Sequence, residues 1–168
     1  MNAFTDKPET ILYDAAYLAE ELNALKRVIS AVPYQERPYG QESIRDMLVS
    51  IGLKQEKEFK PLVLSKTNIK RNSKENSEEL EAQKNYSEDK SIEEIIDRIS
   101  AERTSLIRSL ENREEDLLKT TFEYRGSIMT LYAIIEQMVQ YDVKQLKQVA
   151  ERVMAIDMER NIRSDISQ

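Results

Sequence analysis

Apolar residues near the start of the chain recur at alternating spacings of four and three, which predicts an amphipathic helix. They are Ile11, Ala15, Leu18, Leu22, Leu25, Ile29 and Val32. Pro8 and Glu9 suit the first turn of this helix, because a proline there loses no hydrogen bond and an acid favours the helix dipole. Pro33 ends the helix. The unbroken apolar seam is typical of a helix packed within a bundle.

The same periodicity predicts three further helices. The second begins at 41 or 42 and ends near 59. The third covers 91–111 and starts with a capping box formed by Ser91 and Glu94. The fourth starts near 127 and extends as far as 160. Their apolar positions include Ile44, Met47, Leu48, Ile51 and Phe59, then Ile92, Ile96, Ile99, Leu106 and Leu110, then Leu131, Ile135, Met138, Val149 and Val153.

The stretches outside these helices are polar or irregular. Residues 60–90 have a basic half followed by an acidic half, and we interpret them as a solvated excursion rather than a binding arm, because charge runs are usually just solvated. Residues 112–126 are expected to be irregular or partly extended, and 161–168 to be a frayed tail. Four amphipathic helices with a long polar connection between the second and third predict an all-α fold, a four-helix bundle forming one domain over 1–168.

Polar residues interrupt the seam of the fourth helix. Asp142 and Gln145 lie on the same stripe as Met138 and Val149, with Tyr141 on its shoulder. A face directed at a protein core should be apolar at every turn. The stretch is therefore a candidate for a functional or former functional site.

The third helix has a comparable anomaly, because Arg103 lies in the middle of its aliphatic seam. A buried charge is costly unless it is paired. Arg103 could hold an anionic substrate, but we favour an internal ion pair. The expected partner is Asp142, or failing that Glu136 or Glu102.

Composition excludes several kinds of chemistry. The chain has neither Cys nor His, so it has no disulfide, no thiol nucleophile and no imidazole to act as a metal ligand or general base. Acids exceed bases, and the net charge of −6 argues against general nucleic-acid binding. No signal peptide is recognised at the N-terminus, and no apolar run approaches the ~20 residues of a membrane span. We therefore expect a cytoplasmic protein without a nucleic-acid or membrane partner.

The segment ESIRDMLVSIGLKQEKEF resembles the second-helix motif of the DinB/YfiT-like superfamily, four-helix bundles that include many metal-dependent enzymes. The family pattern starts at a serine, here Ser43, and has a metal-binding histidine seven residues later, at the position of Ser50. The segment YDVKQLKQV resembles the His-x-x-x-His motif of the family's last helix, with Tyr141 and Gln145 at the two histidine positions. The resemblance covers about 10–155.

Further positions agree with the family pattern. Asp142 and Gln148 match residues of the last-helix motif, and Arg103 matches an arginine common in the third helix. The resemblance implies a pocket between the helices. Since all three expected histidines are replaced, we expect no bound metal and no cofactor, because transition metals prefer imidazole to hydroxyl, phenol or amide ligands.

Three functions follow from this resemblance. The preferred one is a non-catalytic DinB-like bundle whose vestigial, metal-free pocket binds a small molecule or a protein partner. The second is a metal-independent transferase or isomerase, in which Arg103 holds an anionic substrate while Tyr141 and Asp142 act as acid and base. The third is a carboxylate-ligated metal protein. It ranks last, because the Glu and Glu-x-x-His pattern of di-iron bundles is absent.

The candidate residues also have ordinary structural interpretations. Tyr141 is interpreted mainly as core packing with its hydroxyl satisfied. Gln145 could contact a ligand or form a single hydrogen bond across the bundle, and Ser50 could simply fill space. Members of the superfamily are often dimers, and the first helix has a long seam, so a homodimer through helix faces is expected.

Overall fold

The computed structural model describes residues 8–37, 40–65 and 75–167, with the side chains of all of these except 65 and 75–80. The fold is mostly helical. In chain order, the helices are α1 (Pro8–Ser30), α2 (Ile44–Lys54), a π-helical turn (Gln55–Phe59), α3 (Lys60–Ser65), α4 (Glu75–Ser87), α5 (Ile92–Glu111), α6 (Glu114–Lys119) and α7 (Leu131–Ile166), with strands β1 (Thr121–Tyr124) and β2 (Ser127–Thr130) between α6 and α7.

Helix α1 follows its predicted seam. It packs against α5 and α7, while α2 packs against α4, α5 and α7. The apolar residues that face inward form two hydrophobic clusters. One is built around the middle of α1, α2, the start of α5 and the middle of α7, and the other around the start of α1, α3, the end of α5 and the start of α7.

Capping interactions fix the starts of the central helices. Ser91 accepts a hydrogen bond from the backbone N–H of Glu94, whose side chain accepts one from the backbone of Ser91. This confirms the predicted capping box. Ser43 and Asp46 form a second capping box at the start of α2, so the serine of the family motif has a structural role in this chain.

The second predicted helix is longer than its periodicity indicates. Helix α2, the π-helical turn and α3 are contiguous from Ile44 to Ser65. Leu62 and Val63 are fully buried in the second hydrophobic cluster. The prediction of a solvated excursion beginning at 60 is therefore wrong for α3, whose apolar residues pack against the start of α1 and the end of α5.

The end of the polar segment, from 81 to 90, packs on the rest of the fold. Residues 66–74 lie outside the described residues. Helix α4 ends in the buried Tyr86, which packs into the first hydrophobic cluster. The side chain of Arg45 donates hydrogen bonds to the carbonyl oxygens of Ser87 (2.6 Å) and Lys90 (2.9 Å). One aromatic anchor and these bonds dock the end of the segment on α2.

The stretch expected to be irregular or partly extended contains α6 and, in agreement with the second alternative, the extended β1 of a hairpin. Strands β1 and β2 pair antiparallel, with Tyr124 opposite Ser127. Arg125 (φ 51°) and Gly126 (φ 80°) form the turn, and positive φ at both central positions matches the twist of a two-residue hairpin. Because Ser127 belongs to β2, α7 starts at Leu131, four residues later than predicted, after the N-cap Thr130.

The end of the chain is also more regular than predicted. Helix α7 continues to Ile166 and so includes most of the residues 161–168 that were expected to form a frayed tail. The side chains of 157–167 are nevertheless exposed. None of the helices among the described residues combines the length and apolar character needed to cross a membrane.

Candidate functional site

Arg103 and Asp142 form a buried ion pair at the centre of the fold. The guanidinium of Arg103 donates from Nη1 to Oδ2 of Asp142 (2.6 Å) and from Nη2 to Oδ1 (3.3 Å). The two side chains are 1% and 6% exposed. Both carboxylate oxygens accept, which is the bidentate geometry of an ionised acid. The predicted pairing of Arg103 with Asp142 is confirmed.

Two further acceptors complete the surroundings of Arg103. Its Nε donates to Oε1 of Gln55 (2.7 Å), and Nη1 also donates to the carbonyl oxygen of Ala15 (3.0 Å). The amide of Gln55 in turn donates to the carbonyl oxygen of Ile99 (3.3 Å). Residues from α1, the π-helical turn, α5 and α7 thus form one closed network, here called the polar core: Ala15, Gln55, Arg103 and Asp142.

Gln55 takes part from the first position of the π-helical turn. Gln55 is 1% exposed and begins the turn, where one extra residue per turn changes the direction of the side chains. Such turns within α-helices are frequent at functional sites. The sequence indicated only that Gln55 projects near the buried side. It did not indicate the contact with Arg103, which lies on another helix.

Burial and pairing act on Asp142 in opposite directions. Burial raises the pKa of Asp142 above its ordinary value, whereas the charge and hydrogen bonds of Arg103 act to lower it. The polar core lies between the two hydrophobic clusters, and Tyr141 packs against both of them. The charge of Asp142 is therefore stabilised by Arg103, because burial removes the water that would otherwise solvate it.

Tyr141 is half-buried beneath a cation. The ammonium of Lys54, one turn after Ser50 on α2, lies 4.4 Å from the centroid of the Tyr141 ring, a cation–π contact. Burial, followed by the nearby charge of Asp142, raises the pKa of Tyr141 to about 12. The phenol therefore stays protonated at neutral pH.

Ser50 and Gln145, the other two positions at which the DinB-like pattern has histidines, also lie outside the polar core. Ser50 and Gln145 are half-buried, and the side chain of neither forms a hydrogen bond with the described part of the chain. The hydrogen bond expected of Gln145 is instead made by Gln55. The reason is angular, since Gln145 is displaced from Asp142 by about 60° around a helix of 3.6 residues per turn.

A second cluster, which the sequence analysis did not anticipate, lies beside Tyr141. The carboxylate of Glu58 accepts hydrogen bonds from the hydroxyl of Tyr124 and from Nη2 of Arg125 (2.8 Å), and its other oxygen lies 3.6 Å from Nζ of Lys54. Lys54 and Glu58 are four residues apart, a spacing visible in the sequence. Tyr124 and Arg125 come from the hairpin, whose position the sequence did not indicate.

The acid stability of the protein should depend on Glu58. Burial acts to raise the pKa of Glu58, but the Tyr124 hydrogen bond and the charges of Lys54 and Arg125 outweigh it and lower the pKa. The ionised carboxylate therefore stabilises the fold above its ordinary pKa of about 4.3, and this contribution is lost as the pH falls through the folded-state value. We expect Glu58→Gln to have a lower melting temperature than wild type at neutral pH and a smaller loss between about pH 5 and pH 3.

The control is Glu115→Gln, which changes an exposed glutamate on α6. It should reproduce the wild-type melting temperature at each pH. Equal acid sensitivity in wild type and Glu58→Gln would show that this carboxylate does not contribute to acid lability.

Among the described residues, no group of three or more His, Cys, Asp or Glu side chains is arranged to hold a metal ion. Comparison with family models, with curated proteins and with solved structures finds no match for this chain. The assignment of the candidate site therefore depends on its own geometry.

Proposed function

We propose that this protein is a non-catalytic, DinB-like four-helix bundle that has lost a former metal site beside its buried polar core, and that it acts by binding a partner. The observation that supports the proposal is that Arg103 is buried and already hydrogen-bonded inside the protein. Its guanidinium is 1% exposed and already donates to Asp142, Gln55 and the Ala15 carbonyl. An arginine that holds a substrate anion needs donors directed at open space.

The alternative, a metal-independent transferase or isomerase, has less support. It requires Arg103 to bind an anion and Tyr141 with Asp142 to exchange protons. In this fold Asp142 is the partner of Arg103, and the pKa of Tyr141 is about 12. An efficient general acid or base has a pKa near the working pH, so neither group is prepared for that role.

Surface geometry favours a macromolecular partner over a small molecule. Three open grooves have volumes of about 420, 470 and 570 Å³, and charged side chains such as Glu56, Arg108 and Glu151 line them. None of the three is lined by a residue of the polar core. Pockets for small molecules are usually enclosed and predominantly apolar, whereas protein interfaces accept open, mixed surfaces.

The test compares wild type with the double variant Arg103→Met/Asp142→Leu. Melting temperatures are measured with Zn²⁺, Ni²⁺ or Mn²⁺, with chelator, and with a panel of small carboxylates and phosphates. We expect chelator to leave the wild-type melting temperature unchanged and no metal to copurify, because a ligand bound only by the folded state would raise its apparent stability.

Two results would contradict the proposal. One is stoichiometric metal in the purified protein. The other is an anion that stabilises wild type but not the double variant, because that anion would be held by Arg103.

Chemical crosslinking in the source cells completes the test, since wild type and the double variant should capture the same partners if binding does not involve the polar core.

A further inference from the structure

A single aromatic side chain holds residues 81–90, here called the strap, against the rest of the fold. Tyr86 is 3% exposed, and it is the one buried side chain between 81 and 90. Ala82, one turn earlier on α4, is half-buried and packs beside it against the first hydrophobic cluster. The attachment of the strap therefore depends on how well the protein accommodates the Tyr86 side chain.

The site that receives Tyr86 fits the ring but not the hydroxyl. The ring lies on the bare backbone of Gly52 in α2, and the guanidinium of Arg98 in α5 covers it at 4.0 Å from the centroid, a cation–π contact. The hydroxyl, however, is buried and has no hydrogen-bond partner among the described residues. A buried hydroxyl without a partner opposes docking, because it has given up water for nothing in return.

A second unpaired polar atom lies close to the same contact. Oε2 of Glu102 is buried without a hydrogen-bond partner in the described part of the chain, and its other oxygen is a long 3.5 Å from Nε of Arg98. Burial, followed by the nearby charge of Glu102, raises the pKa of Tyr86, but the phenol and this carboxylate form no hydrogen bond with each other. The contact between the strap and the fold is therefore less favourable than its burial suggests.

The turn after α4 is attached by different interactions. The side chain of Arg45 in α2 donates to the carbonyl oxygens of Ser87 and Lys90. Between them Asp89 has a φ of 56°, a left-handed conformation that aspartate tolerates in turns. Because these bonds involve the backbone of the turn and not the Tyr86 ring, they can hold 87–90 in place while 81–86 moves.

We propose that the strap opens and closes on the folded protein, with Tyr86 leaving its site while the turn at 87–90 stays bonded to Arg45. Opening returns the hydroxyl of Tyr86 to water and uncovers Gly52 and Leu53. It thereby enlarges the groove of about 420 Å³ that Leu53, Tyr86 and Arg98 help to line, so the strap controls access to this groove. The inference stands on the contacts of Tyr86 and does not depend on the function proposed above.

Native-state hydrogen exchange of the full-length protein, at urea concentrations below the unfolding transition, tests the proposal. A short helix without packing is marginally stable in water, so the amides of 81–86 should exchange each time the strap opens. We expect them to exchange faster than the middle of α5 and with little dependence on urea, as local opening does.

Tyr86→Phe separates this mechanism from ordinary fraying of a helix. It keeps the ring and removes the unpaired hydroxyl, so exchange over 81–86 should slow by about 5- to 150-fold. The matched control is Tyr124→Phe. The hydroxyl of Tyr124 is hydrogen-bonded to Glu58, so its removal should accelerate exchange in the hairpin instead.

Thiol labelling tests access to the groove. Because the chain has no cysteine, Leu53→Cys provides a single thiol under the strap. A water-soluble maleimide should modify it in the folded protein, and adding Tyr86→Phe should slow that reaction. Ile99→Cys, in the buried seam of α5, is the control and should react only at the rate of global unfolding.

Three results would overturn the proposal. The first is exchange over 81–86 at the rate of global unfolding. The second is exchange in Tyr86→Phe that is no slower than in wild type, since the hydroxyl would then not weaken the contact. The third is labelling of Leu53→Cys that is no faster than labelling of Ile99→Cys.

Discussion

Replacing Arg103 with Met is expected to lower the free energy of unfolding by about 3–5 kcal/mol, because it leaves the buried carboxylate of Asp142 without its partner. Asp142→Leu should cost a similar amount, since it leaves the guanidinium of Arg103 uncompensated. The double variant should lose clearly less than the sum of the two, because neither charge is then orphaned. Urea denaturation of the four proteins in the cycle measures the coupling.

The matched control is an exposed ion pair with the same contact distance. Nζ of Lys26 lies 2.6 Å from Oδ1 of Asp97, but the two side chains are 31% and 57% exposed. Replacing either partner there should cost no more than about 1 kcal/mol. Additive losses for Arg103→Met and Asp142→Leu would show that the two charges do not depend on each other, and the polar core would lose its main support.

Gly52→Ala is expected to destabilise the protein by about 1–3 kcal/mol, as overpacking in a core does, although alanine is the better helix former by about 1 kcal/mol. A Cβ atom at this position would lie 2.2 Å from the hydroxyl oxygen of Tyr86 and 2.5 Å from its Cζ. Tyr86 is buried, so the ring cannot avoid the methyl group without moving the end of α4.

Hydrogen exchange can locate the effect of Gly52→Ala. Protection of the backbone amides from exchange should decrease over 81–87, where Tyr86 holds α4 against α2, more than over the middle of α5.

The double variant Gly52→Ala/Tyr86→Leu should lose less free energy of unfolding than the sum of the single variants, because the smaller side chain leaves room for the methyl group. Ser50→Ala, on the same helix, is the control and should change stability by no more than about 0.5 kcal/mol. Unchanged or increased stability in Gly52→Ala would mean that the Tyr86 ring is not held against α2.

Local patterns predicted the parts of the fold that depend on neighbouring residues. The alternating spacing of apolar residues located α1 and α5, and the pair Ser91 and Glu94 marked the start of α5 correctly. The pattern failed where it lacked a clear period. In the segment after Phe59 it missed α3, and in 112–126 it indicated extended structure but missed α6 and the pairing of β1 with β2, so that α7 was started too early.

The candidate site likewise has one part that the sequence predicted and one part that it did not. Arg103 in an aliphatic seam requires a counter-charge wherever the chain folds, because an unpaired buried guanidinium is too costly, and Asp142 was the acid nearest to the facing stripe. That reasoning uses only charge and periodicity, and it predicted the pair. It did not predict that Gln55, 48 residues from Arg103, accepts a third hydrogen bond.

Tertiary structure alone decided the contacts between segments that are distant in sequence. Gln55 accepts a hydrogen bond from Arg103, 48 residues away, the hairpin carries Tyr124 to Glu58, 66 residues away, and Tyr86 packs on the bare backbone of Gly52. Each contact depends on the relative position of two elements, whereas a helix seam or a capping box depends on residues within one or two turns. The sequence by itself therefore located the four long amphipathic helices and showed that Arg103 needs an acid, whereas packing between the helices decided which other side chains complete its surroundings.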